Sequence, residues 1–166
     1  MSPQPFAQVF SKLTTPKKIQ EYLDTLEYSD EERYRCPLNV LKDQKAHCFD
    51  GALFGAAALR NLGYLPLLVE LIPNEHDDDH ILAVFRHSKY WGAVAKSSFV
   101  GLRYREPVYQ NLRELVMSYF ESYFNVKGEL INFKSDDRYW SKDGKTVRRY
   151  QWSTPVREYR DFNGRN

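Results

Sequence analysis

The segment Cys48-Phe49-Asp50-Gly51-Ala52-Leu53-Phe54-Gly55-Ala56-Ala57-Ala58-Leu59-Arg60-Asn61-Leu62 constrains the fold more than any other part of the chain. Ala52, Leu53, Ala56, Leu59 and Leu62 recur at helical spacing, while Gly55, Ala56, Ala57 and Ala58 keep the helix slim on several sides. A slim helix of this kind is expected to be buried. Gly63 follows it, free to take the left-handed conformation that ends a helix. Three strand-like runs come next, at residues 66–72, 80–86 and 90–99, and the His87-Ser88-Lys89 link is short enough for an antiparallel hairpin.

Around this centre the remaining residues read as covering elements. Residues 1–15 are weakly patterned, and Thr15-Pro16 then starts a helix through Ile19, Tyr22, Leu23 and Leu26. Ser29-Asp30-Glu31-Glu32 resembles a second N-terminal cap, and residues 35–41 read as an irregular approach to the Cys48 helix that lines a cleft. Glu106-Pro107 is expected to open a helix through Leu112, Leu115, Val116, Tyr119 and Phe120, ending near residues 125–128. Residues 130–133 and 146–152 read as strands, the second in a hairpin around Lys142-Asp143-Gly144-Lys145, and the tail 157–166 as frayed. The expected architecture is a single α+β domain over residues 1–166. Its core lies at about 36–100, with covering elements at 1–35 and 101–156.

Cys48 stands where a polar stretch turns into the apolar helix. A thiol at a helix N-terminus feels the positive end of the macrodipole, which favours the thiolate, the form that attacks a carbonyl carbon. His80 opens one of the strand-like runs, and a histidine brought near the thiol would complete its activation.

In both motif and order, Cys48 to Lys96 resembles the transglutaminase-like branch of the papain-type cysteine enzymes. In that family a cysteine heads a buried helix that closes with an arginine, a few residues and a glycine, as Arg60 and Gly63 do here. The chain there runs into a strand, matched by Leu65-Pro66-Leu67-Leu68-Val69-Glu70-Leu71, and then into one opened by the catalytic histidine, matched by His80-Ile81-Leu82-Ala83-Val84-Phe85. The resemblance covers about a third of the chain. It implies a Cys-bearing helix packed on an antiparallel sheet, Cys48 as nucleophile, and His80 as general base and acid in acyl transfer through a thioester.

The family's third element, an aspartate a little beyond a tryptophan, is not matched. Trp91 is followed by Gly92-Ala93-Val94-Ala95-Lys96-Ser97-Ser98-Phe99, so the acid's place holds Ala95, Lys96 or Ser97. Ser97 or a backbone carbonyl is then left to orient the imidazole. Gln44 is the nearest neutral side chain before Cys48 that could donate to an oxyanion, and the Cys48 N–H is available by position. His47 is an alternative base, but neighbouring side chains on one helix diverge. Two functions follow: a cysteine hydrolase or acyltransferase acting on a small-molecule or peptide amide, or a domain that keeps the fold and cleft as a binding or scaffold protein.

Other classes are less well served. His76-Asp77-Asp78-Asp79-His80 gathers possible metal ligands, but five consecutive residues cannot all aim at one ion, and no metal or other cofactor is expected. Alternation also points the Asp79 side chain away from the face that carries His80. Arg138, Tyr139, Trp140, Arg148, Arg149, Tyr150 and Trp152 suggest single-stranded nucleic acid, yet read more simply as a half-buried sheet. The net charge of +2 names no polyanionic partner. No apolar run approaches the roughly 20 residues that span a bilayer, so no membrane association and a cytoplasmic location are expected. Two cysteines are too few for a disulfide framework, and Cys36 and Cys48 are expected as free thiols.

Overall fold

The structure, a computed structural model, describes residues 4–31, 33–71 and 79–122. It is an α+β fold with helices on both faces of a four-stranded antiparallel sheet. Helices α1 (Gln4–Phe10) and α2 (Pro16–Thr25) come first, then β1 (Glu27–Tyr28), α3 (Pro37–Asp43), β2 (Lys45–Ala46) and α4 (Cys48–Asn61). Strands β3 (Leu67–Leu71), β4 (His80–His87), β5 (Tyr90–Val94) and β6 (Arg105–Tyr109) follow, and α5 (Leu112–Met117) comes after them. The sheet order is β3-β4-β5-β6, while β1 and β2 make a separate parallel pair.

Helix α4 occupies the predicted place, and Gly63 ends its last turn at φ +88. Its glycines explain how close it lies to the sheet. A Cβ on Gly51 would stand 2.2 Å from Lys96 Cβ, and one on Gly55 2.7 Å from Val94 Cγ2. At i and i+4 they form one stripe, and that stripe rests on the end of β5.

The two sheet faces bury separate cores. Ile81, Ala83 and Phe85 of β4 pack with α4 and α2, whereas Leu82 and Val84 pack with Leu102, Val116 and Tyr119 on the other side. The β4–β5 hairpin is antiparallel, with His87 opposite Tyr90 and Ser88 at φ 55 in its turn.

Several covering elements differ from expectation. The weakly patterned N-terminus contains α1. Ser29 opens no helix, since its hydroxyl is taken by Arg35 and Glu31 N–H; the helix of this region is α3, started by Pro37 at its first position. Glu106 and Pro107 lie in β6 rather than in a helix. β6 ends the order of the sheet, and an edge strand tolerates a residue without N–H. The true start of α5 is Asn111, whose side chain accepts from Glu114 N–H at 2.9 Å. The predicted strands at 130–133 and 146–152, the tail, and the basic aromatic residues Arg138 to Trp152 lie outside the described residues.

Candidate functional site

Cys48 is the first residue of α4 and half buried. The helix start around it is held by a connected set of polar side chains. His47 is the N-cap, and its Nδ1 accepts from Phe49 N–H at 3.0 Å, which leaves the proton of a neutral ring on Nε2. Asp50, fully buried, accepts from Arg35 N–H at 2.7 Å and from His47 N–H at 3.4 Å.

Arg35 is the centre of this set, with 2% of its surface exposed. Its guanidinium reaches Glu31 at 2.6 Å, Asp43 at 3.1 Å, Ser29 at 3.0 Å and Asp50 at 3.6 Å. Burial works against its charge, but the bonds to Glu31 and Asp43 prevail and its pKa is raised. This network ties the approach segment, α3 and α4 together. It also places a carboxylate in the first turn of α4, where it engages the same helix dipole that would favour a Cys48 thiolate.

The thiol donates to the Asp79 carbonyl at 3.4 Å. A carbonyl accepts only from protonated sulfur, so this contact favours thiol over thiolate. It also brings Cys48 to the backbone immediately before His80. The side chains part there. His80 alternates with Leu82 and Val84, its Nε2 bonds the Leu102 carbonyl at 2.7 Å, and its ring lies edge-on to Tyr119 at 6.5 Å. Cys48 and His80 thus share one end of the sheet on opposite faces, because Ile81 and not His80 points toward α4.

The Leu102 carbonyl puts the imidazole proton on Nε2 and fixes the ring, the role that the sequence leaves to Ser97 or a backbone carbonyl. His80 is 4% exposed, and burial pushes its pKa down to about 4; nearby Arg105 acts the same way and the Leu102 bond opposes it. Arg105 itself stacks over Tyr119, 4.0 Å from its centroid.

The remaining sequence candidates serve structure. Gln44 ends α3 at φ 53 and donates its side-chain amide to Leu41 O at 2.7 Å and Tyr22 OH at 3.1 Å, not to a site beside Cys48. Ser97 Oγ accepts from Phe99 N–H at 3.1 Å in a local turn. Lys96 sits on the α4 side and donates to Leu23 O and Leu26 O at 2.9 and 2.5 Å, closing the C-terminus of α2. Its burial, with help from Arg103, lowers its pKa. Gln20 exchanges two 2.9 Å bonds with the Ala95 backbone and so substitutes for a strand partner. Ala95 and Lys96, two of the three positions at which the resemblance would expect an acid, therefore bind α2 to the end of β5.

His76, Asp77 and Asp78 lie outside the described residues; among the described residues no group of three or more side chains could hold a metal ion. Nor, among them, is any helix long and apolar enough to cross a membrane. The Arg35–Asp50 network was missed by sequence reasoning. Its one local signal is an acid in the first turn of the Cys48 helix.

Residues 116–166 match a family of unknown function (DUF6544), over less than half of the chain and mostly beyond the described residues. No curated protein matches the chain.

Proposed function

We propose that the chain is a transglutaminase-like domain with a papain-type core in which catalysis is impaired, and that it works as a binding protein. The observation that carries this reading is the placement of His80: buried, held to the Leu102 carbonyl, and on the face opposite the Cys48 helix. A general base must come within hydrogen-bond reach of the proton that it removes. The thiol bond to Asp79 O and the carboxylate of Asp50 in the same helix turn support the reading further. The rim beside Cys48 offers contacts for an apolar peptide side chain. Tyr34, 75% exposed, packs edge-on to His47 at 5.7 Å and to Phe49 at 5.2 Å.

One observation favours the hydrolase or acyltransferase as a second reading. The thiol touches the residue next to His80, and the imidazole already has a fixed tautomer, so a local rearrangement that turned the first residue of β4 to the other face would bring the pair together. Alkylation separates the two readings. With iodoacetamide near pH 6, the binding reading expects Cys48 to react no faster than the exposed Cys36, and His80→Gln to leave both rates unchanged. Fast Cys48 labelling that His80→Gln abolishes would establish the enzyme reading instead.

A further inference from the structure

At the far end of α4 from Cys48, the structure contains an open surface pocket of about 280 Å³. Leu62 belongs to its lining, and the 14-residue helix separates it from the thiol by roughly 20 Å. Half-buried Tyr64 supplies its aromatic wall, behind which Phe85, 2% exposed, contributes little surface. Tyr64 packs edge-on against Phe85, ring centroids 5.5 Å apart, and both line the space with Pro107. Phe85 reaches this position because Gly92 faces it across the hairpin: a Cβ there would stand 2.6 Å from Phe85 Cζ.

Two polar groups of the pocket meet at one edge. Tyr64 OH and His87 Nδ1 are 3.5 Å apart, at the outer limit of a hydrogen bond, and Thr14 stands exposed on the rim. A ligand atom placed between the hydroxyl and the imidazole can exchange that long contact for two shorter ones. None of the described lining side chains is a carboxylate, a lysine or an arginine. The size falls just below the roughly 300 Å³ at which drug-sized pockets begin, which restricts the ligand to one or two rings.

We propose that this pocket binds a small neutral aromatic molecule, one ring or two fused rings, through one ring face and one hydrogen-bonding edge. The site is independent of Cys48 and of the function proposed for it. The probe is indole, titrated into the full-length, ¹⁵N-labelled chain and followed by amide NMR. Saturable shifts are expected at Tyr64, Phe85, His87 and Thr14, with a Kd on the order of 1 mM. Thr14→Phe, which fills the pocket from its exposed rim, and Tyr64→Ala, which removes its wall, should each weaken indole by about tenfold or more. Benzoate, similar in size but charged, should bind about tenfold more weakly than indole. Alkylation of Cys48 should leave the indole titration unchanged. The proposal is overturned by the absence of saturable shifts up to the solubility of indole, by binding that survives both substitutions, or by benzoate binding as tightly as indole.

Discussion

Asp50 offers the sharpest test of how the Cys48 helix is held. Asp50→Ala takes the 2.7 Å acceptor from a buried Arg35 N–H, a loss of about 1–3 kcal/mol, and opens the cap at His47, about 1 kcal/mol more. It also removes one of three carboxylates around a guanidinium that is 2% exposed, and breaking a buried pair costs about 3–5 kcal/mol. These losses overlap, since a single carboxylate serves all three, and Glu31 and Asp43 stay in place. We expect about 4 kcal/mol for alanine. Asp50→Asn keeps a side-chain oxygen for the Arg35 N–H but loses the charge and turns an NH2 donor toward the His47 N–H and the Arg35 guanidinium, so about 2 kcal/mol is expected. Urea unfolding followed by circular dichroism measures both; the alanine variant should also melt roughly 10 °C lower. A loss under about 1 kcal/mol for alanine, or equal losses for the two variants, would refute the claim that the buried carboxylate organises this helix start.

Two further outcomes follow from the geometry. His80 titrates at about 4 in the fold against 6.5 for the ordinary side chain, so the unfolded chain binds more protons between those values. Its stabilising contribution is whole above about pH 6.5 and is lost as pH falls toward 4, on the order of 3 kcal/mol in all; His80→Gln should flatten that part of the stability curve. Gly51→Ala should destabilise by about 3 kcal/mol or more, because its Cβ would meet Lys96 Cβ at 2.2 Å. Gly63→Ala, with φ +88 but nothing within 4 Å, should cost about 1 kcal/mol, and equal melting temperatures for the two variants would contradict the close approach of α4 to β5.

Local patterning made the Cys48 helix and the β4–β5 hairpin legible, because their signals lie within a few residues: the small-residue run, Gly63, and the short link after Arg86. The same kind of signal stands before α5. Asn111 and Glu114 carry the cap, while Pro107 drew the helix start too early. Which way His80 faces was not legible. His80 through Phe85 are buried on both sides, so the run has no polar face to tell which alternate set meets α4. The Arg35–Asp50 bond joins residues 15 apart, and only the packing of the approach segment against α4 creates it.

Lys96 decides how the unmatched acid should be understood. If this position had simply lost an aspartate from working machinery, Lys96→Asp would restore it. The geometry predicts the opposite. Lys96 Nζ holds the carbonyls of Leu23 and Leu26 at the negative end of α2; an aspartate is too short to reach them, so both acceptors would lose their donor while the carboxylate would sit in the close-packed space against Gly51. The two lost bonds and the charge placed in that packed space should together destabilise the fold by about 3–5 kcal/mol. Lys96→Met keeps the stem and loses only the two bonds, about 2 kcal/mol, and separates the effect of charge from that of packing. Cys48 alkylation should not accelerate in Lys96→Asp, because His80 stays on the other face of the sheet whatever occupies residue 96. A folded Lys96→Asp protein with faster Cys48 labelling would mean that the third position still communicates with the thiol, and the binding-protein reading would then give way to the enzyme.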